Sequence, residues 1–232
     1  MLAVRPYRPA DREAIRSIVH ATGFMGESAD WYWRDAESFA EVWTAYYTDD
    51  EPESLYVADD GGTVVGYLTG CVDSRRAPNP RSAILQQMVR RQLLFRPGTA
   101  GFFWRSMWDA LQSPDVPTGE LSDPRWPSHL HINLLPPGRG RGAGRRLVQA
   151  WLARLREVGS PGCHLGTLAE NGNAIAFFGS VGFERHGPPI LLPGLRTRSG
   201  ERMHQQLMVQ SLSGPAEGER HEGREVLPTE AT

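Results

Sequence analysis

Positions 139–146 read Arg-Gly-Arg-Gly-Ala-Gly-Arg-Arg, three glycines threaded through four arginines. Before this run, His129, His131 and Asn133 alternate with Leu130, Ile132 and Leu134, as on the two faces of a strand. After it, Leu147, Val148, Trp151, Leu152, Leu155 and Val158 recur at helical spacing until Gly159 stops them. Strand, glycine loop and helix in that order build an anion site. Glycine lets the backbone turn sharply, and the first N–H groups of a helix have no partner inside it. The helix dipole adds roughly half a positive charge there, and Arg139, Arg141, Arg145 and Arg146 stand nearby. A diphosphate is the natural ligand. The glycines at 140, 142 and 144 do not follow the Gly-x-Gly-x-x-Gly order of dinucleotide folds. An RNA-contacting arginine-glycine segment, or a bare turn, would not need the apolar strand and amphipathic helix that flank this loop.

The two histidines are the other chemical feature. His129 and His131 share one face of the expected strand, and imidazole gains or loses a proton near neutrality. Either could also be a core histidine held by hydrogen bonds. His164 could add a third ring, but no spacing assembles a metal set, and no metal is expected.

Composition narrows the class. The 232 residues carry a formal charge of −2, with 40% hydrophobic and 22% charged residues, as ordinary globular proteins do. All 25 basic residues are arginine. That excludes a Schiff-base lysine and the lysine of a nucleotide-triphosphate loop. The near-balanced charge offers no broad cationic surface, so no nucleic-acid partner is expected. Cys71 and Cys163 alone cannot form a disulfide framework, which fits a reducing compartment. The absence of a long apolar run and of an apolar leader gives the expectation of a cytoplasmic protein without a membrane partner.

The remaining pattern supplies the scaffold. A strand over Leu2 to Tyr7 precedes a helix with Ala14, Ile15, Ile18 and Val19 on one face. Asp35 caps a second helix whose face is Phe39, Val42, Trp43 and Tyr46. Strands Leu55 to Ala58 and Val64 to Val72 flank the turn Asp59-Asp60-Gly61-Gly62. Residues 75–127 read as a helical insertion, with Ile84, Leu85, Met88 and Leu93 on one packing face and Phe103, Met107, Trp108 and Leu111 on another. The cluster Trp31-Tyr32-Trp33 either encloses an acceptor or packs on the core. Downstream come a strand over Cys163 to Leu168, a helix over Asn173 to Ser180, and strands over Phe183 to Leu192 and Met203 to Leu212. One domain over 1–212 and a polar, flexible tail over 213–232 are expected.

Arg139-x-x-Gly142-x-Gly144 opening a helix resembles the coenzyme-A pyrophosphate loop of the GNAT acetyltransferases. Asn171-Gly-Asn-Ala-Ile-Ala-Phe-Phe178, followed by Gly182-Phe183, resembles their second signature. Tyr46-Tyr47-Thr48 with Glu51-Pro52-Glu53, Gly66-Tyr67-Leu68 with Asp73, and the run from His129 to Pro136 resemble the acetyltransferase-like C-terminal region of O-GlcNAcases and its stand-alone bacterial relatives. The resemblance covers roughly residues 1–212. It implies an α/β (α+β) fold: a mixed, mostly antiparallel sheet with two splayed parallel strands and helices on both faces. The implied cofactor is acetyl-CoA. Its pantetheine arm would bond the backbone of Asn133, Leu134 and Leu135, with the Leu134 N–H on the thioester oxygen. The N–H groups of Arg139, Gly140, Arg141, Gly142, Ala143, Gly144 and Arg145 would wrap the pyrophosphate. Asn171 would reach the cofactor arm, and Asn173 would do the same or cap its helix.

The implied activity is N-acyl transfer to a small-molecule amine in a ternary complex, with His129 or His131 as the base. Phe178 stands where many members carry a tyrosine that protonates the leaving thiolate. A phenyl ring has no proton to give. A non-catalytic acetyl-CoA-binding sensor or scaffold is therefore the rival reading. A protein or histone acetyltransferase, drawing basic tails to Asp49, Asp50, Glu51 and Glu53, is a third. Monomer and homodimer are both left open.

Overall fold

Alternating apolar residues make seven strands: β1 (Leu2–Pro6), β2 (Leu55–Asp60), β3 (Thr63–Cys71), β4 (Ser128–Leu134), β5 (Gly162–Leu168), β6 (Glu184–Arg196) and β7 (Arg202–Ser211). Six helices accompany them: α1 (Arg12–Ala21), α2 (Ala36–Asp49), α3 (Pro80–Arg90), α4 (Ala100–Gln112), α5 (Ala143–Glu157) and α6 (Gly172–Ser180). The computed structural model describes residues 2–113 and 121–212, and the expected tail from Ser213 lies outside them. Element bounds fall close to the sequence expectation, except that β6 runs on to Arg196.

The strands form one sheet in the order β1-β2-β3-β4-β5-β7-β6. Every neighbouring pair is antiparallel except β4 with β5. Period-two alternation divides the core between two faces. On one, Ile15 and Val19 of α1 and Phe39, Ala40 and Tyr47 of α2 meet Leu55, Val57, Tyr67 and Cys71. On the other, Leu147, Val148, Trp151 and Leu155 of α5 meet Ala58, Leu68, Leu130 and Leu165. Gly70 in β3 lets the fully buried Trp151 ring lie against the strand, where a Cβ would overlap it. Trp151 Nε1 then reaches Cys163 Sγ at 3.4 Å, which fastens α5 across to β5.

The insertion between β3 and β4 is helical, as expected, but α4 turns a different face inward. Phe103 is buried, whereas Met107, Trp108 and Leu111 are exposed, Trp108 by 63%. Leu93 lies past the end of α3, in a short turn, and is buried. Polar anchors set this orientation. Asp109 accepts the Gly194 N–H at 2.8 Å and pairs with Arg196 at 2.7 Å, while Ser106 donates to Pro193 O at 3.2 Å. Turning α4 over would break these contacts and leave the buried Asp109 carboxylate uncompensated. At the other end of the insertion Asp35 caps α2 through the Ser38 N–H and pairs with Arg91 and Arg96.

The Arg196 hydrogen bond holds the Asp109 carboxyl below the usual carboxylate range, against the upward push of burial. A depressed native pKa stabilises the fold above the unfolded value and is lost as pH falls through the native one. Asp109→Asn should therefore lower stability at pH 7 by about 3–5 kcal/mol, the cost of breaking a buried pair. That gap should shrink below roughly pH 4. Urea unfolding at pH 7 and pH 3 measures both.

Candidate active site

β4 and β5 are joined at only two positions, Ser128 to Cys163 and His129 to His164. Beyond these the strands part. β5 continues against β7 as far as Leu168, and β4 continues against β3 as far as Leu134. Leu135 donates its N–H to Val65 O at 2.9 Å, which fixes the odd-numbered residues of β4 as those bonded to β3. Strand alternation then turns the N–H groups of Ile132 and Leu134 toward the opening. Leu135 has its N–H on Val65 O and its carbonyl on the Gly138 N–H, so its backbone is turned away from the opening.

The glycine loop closes the wide end of this opening. Gly140 and Gly142 have φ of 69° and 76°, and open space lies where a Cβ would stand on either. Gly142 caps α5, and the first intrahelical bond runs from the Arg146 N–H to Gly142 O. The N–H groups of Ala143, Gly144 and Arg145 thus precede the hydrogen-bond ladder. Gly144 is buried against Phe177 and Leu134, so a side chain there would push the helix start off the strand.

The arginines brace the loop rather than fill it. Arg139 donates to Leu134 O and Gly26 O at 2.8 and 2.6 Å, and Arg145 donates to Ser180. Arg146 reaches Leu2 O, while Arg141 pairs with Asp60 and pulls that carboxyl below its usual range. Among the described residues only Arg141 of these four is met by a carboxylate. The other three bond neutral carbonyls and hydroxyls, so their charge still reaches the loop.

At the narrow end, where the strands begin to part, polar side chains gather on the α2 face. His129 is 1% exposed. Its Nε2 shares a 2.7 Å hydrogen bond with the Tyr47 hydroxyl, and its Nδ1 another with the Ser74 hydroxyl. Both hydroxyls can donate or accept, so either tautomer is satisfied. His131, half-buried, has its ring 5.7 Å from Tyr47 and 6.1 Å from Trp43. The His164 ring lies 5.7 Å from His129, with Nδ1 bonded to Trp126 O. Among the described residues no group of three or more ligating side chains could hold a metal. His129 is thus braced through both ring nitrogens, and His131 lies next to it on the same face against Tyr47 and Trp43.

Other expected residues resolve individually. Asn133 donates to Thr22 and accepts from Tyr67, so its side chain is committed to the scaffold. Asn171 caps α6 through the Ala174 N–H, leaving Asn173 exposed in the first turn. Phe178 is buried against Phe177 and Phe183. Trp33 packs on Phe39 and Phe103, so the Trp31–Trp33 cluster is chiefly core, with Trp31 alone half-buried. Glu51, expected on an open acidic turn, is buried and accepts from Tyr46, Ser54 and the Val72 N–H. Tyr47, Ser74 and Thr22 were not candidates from sequence. Their partners lie 82, 55 and 111 residues away, and no local pattern signals such contacts.

A mixed sheet with one parallel pair that parts above a glycine loop defines the fold of the GNAT acetyltransferases. Residues 108–183, about a third of the chain, match the model of the acetyltransferase (GNAT) family. The solved structure of SsHAT superposes with a TM-score of 0.61 at 27% identity, covering 92% of this chain and 99% of that one. The Salmonella typhimurium protein yncA, solved with its cofactor acetyl-CoA, gives 0.54 at 16% identity, covering 93% and 96%. The ribosomal-protein-alanine N-acetyltransferase of Brucella melitensis gives 0.53 at 21%, covering 90% and 99%.

His129→Ala should take a hydrogen-bond partner from the Tyr47 and Ser74 hydroxyls and cost about 1–3 kcal/mol of stability. His131→Ala should cost less. Urea unfolding of both variants compares them, and equal losses would contradict the division of roles.

Proposed function

We propose that this chain is an acetyl-CoA-dependent N-acetyltransferase acting on a small amine, with residues 1–212 as one catalytic unit and 75–127 as its insertion. The observation that carries the reading is the parted strand pair ending on a loop of outward-facing backbone N–H groups. That cradle fits acetyl-CoA. The open space beside Gly140 and Gly142 admits a diphosphate to within hydrogen-bond reach of the backbone. The N–H groups of Ile132 and Leu134 suit an extended arm laid along β4. Asn171 holds the α6 helix beside that arm, with Asn173 next to it.

When bound, acetyl-CoA supplies an activated acetyl thioester. The chain's own residues do the rest. His131 would take the proton that the amine gives up on attack, and the thiolate released when the C–S bond breaks would take its proton from solvent, since Phe178 has none to give. The Leu134 N–H is the donor available to oxygen that becomes negative as the carbonyl is attacked. His129, through Tyr47 and Ser74, keeps the narrow end of the opening rigid. No helix among the described residues is long and apolar enough to cross a membrane. A cytoplasmic site of action and a reducing compartment belong to this reading.

The subgroup resemblance gains support from contacts among its motif residues. Tyr46 bonds Glu51, Tyr47 bonds His129, and Tyr67 bonds Asn133, so the separate motifs meet in one network. We place the chain in the group of the O-GlcNAcase-associated acetyltransferase-like domains. One observation favours the rival sensor reading: Phe178 is buried among aromatic rings and offers no acid. Acetyl transfer to any amine above the rate of thioester hydrolysis decides between them.

Gly142→Val forces a β-branched residue into φ of 76° and fills the cradle, so acetyl-CoA binding by calorimetry should vanish while the fold persists. Binding equal to wild type would place the cofactor elsewhere. His131→Gln should lower kcat by about 100-fold with acetyl-CoA affinity retained. Full activity in that variant would move the base to another group.

A further inference from the structure

Exposed apolar side chains are concentrated in the insertion. Of the nine large hydrophobic residues exposed among the described ones, seven lie between Leu85 and Leu111, and the other two are Met25 and Val158. Scattered singly, such residues need no explanation, but a contiguous set does. Trp104, Met107, Trp108 and Leu111 all belong to α4, where they are 54, 43, 63 and 76% exposed. At 3.6 residues per turn these four positions form one stripe about 100° wide. The opposite side of the helix is the one held to the protein, through Ser106 on Pro193 O and Asp109 on β6.

The stripe carries no charge. The two charged residues of α4 both bond β6, Arg105 through Gly194 O at 3.4 Å and Asp109 through the Gly194 N–H and Arg196. A surface helix ordinarily keeps its outer face polar, so a helix apolar on both sides is built to be covered on both. The remaining chain is poorly equipped to do this. Residues 114–120 and 213–232 contain no phenylalanine, tyrosine, tryptophan, isoleucine or methionine, and their large aliphatic residues are only Val116, Val226 and Leu227.

A second copy is better matched. Turned end for end about a twofold axis between Met107 and Trp108, the stripe meets itself with Trp104 against Leu111 and Met107 against Trp108 of the other copy. Each indole then faces an aliphatic or thioether side chain instead of another indole. Arg105 falls opposite Ala110, so no like charges meet. The area also suffices. With roughly 150–250 Å² for a large side chain, the four residues at these exposures present on the order of 500 Å² of apolar surface. A standard interface buries about 800 Å² per partner, of which about 65% is apolar in homodimers. We propose that the α4 stripe is a homodimer interface, in which α4 pairs antiparallel with α4 of a second copy of this chain.

Sedimentation velocity of the full chain between about 1 and 100 μM tests this. Wild type should be a dimer with a dissociation constant of about 10 μM or tighter. Trp108→Glu and Leu111→Glu should each raise that constant by about 30-fold or more, as loss of a central interface residue does. Both side chains face solvent in the single copy, so both variants should keep the circular dichroism of wild type. Should one of them fail to fold, the other decides. Val158→Glu, at an exposed apolar position just past α5, should leave the dimer intact. A wild-type monomer at about 100 μM overturns the proposal, and flotation of that monomer with phosphatidylglycerol vesicles would assign the stripe to a lipid surface instead. A dimer that both α4 variants leave intact overturns it too, because its interface would lie elsewhere. Neither outcome depends on acetyl-CoA, so the proposal stands or falls apart from the acetyltransferase reading.

Discussion

The site exists because β4 and β5 stop pairing after His129 and His164. A buried strand edge must find partners for its N–H and C=O groups. β3 satisfies one edge of β4 along its full length, and β7 satisfies β5. Beyond the two shared pairs the facing edges lose each other as partners: Arg139 meets the Leu134 carbonyl, and the N–H groups of Ile132 and Leu134 have no partner strand in the sheet. Separation therefore turns ordinary backbone into a binding surface, and the glycine loop places a second set of backbone donors at its open end.

What keeps the strands apart is distributed over both faces of the sheet. On the α5 face, Gly144 admits Phe177 and Leu134 against the helix start, and Trp151 ties β3 to β5. On the α2 face, the Tyr47–His129–Ser74 network locks the narrow end, and Asn133 is fixed by Thr22 and Tyr67. The charged anchors of the insertion serve the same end more remotely. Asp35 holds its first half to α2, and Asp109 holds α4 to β6. A carboxylate that works only in one orientation specifies geometry more sharply than an apolar stripe does.

The strand, loop and α5 were legible in the sequence because their periodicity is strong and their glycines fall where the backbone needs them. Residues 128–157 fold as their pattern reads. The face of α4 was not legible. Trp104, Trp108 and Leu111 repeat at helical spacing whether they face solvent or core, and the deciding group is a single aspartate whose partner lies 87 residues away. The same limit hid the site's side chains from α2. Trp43 and Tyr46 look like part of a packing stripe, and only the folded register shows that Trp43 and Tyr47 lie against His131. The arginine cluster was legible as positive charge at the loop, whereas the hydrogen bonds by which Arg139, Arg145 and Arg146 brace it, to Gly26, Ser180 and Leu2, have no local signal. The loss of a tyrosine at Phe178 was readable from sequence, and burial in an aromatic cluster explains how the position is accommodated.

The central claim is that backbone amides of the parted strand and the glycine loop hold the cofactor. Amide-resolved NMR of the labelled chain during titration with acetyl-CoA addresses it most directly. The account predicts saturable shifts at Ile132, Leu134 and the amides from Gly140 to Arg145, with those of Leu135 and Val57 little changed. Saturable shifts confined to other elements, with these amides unmoved, would contradict it.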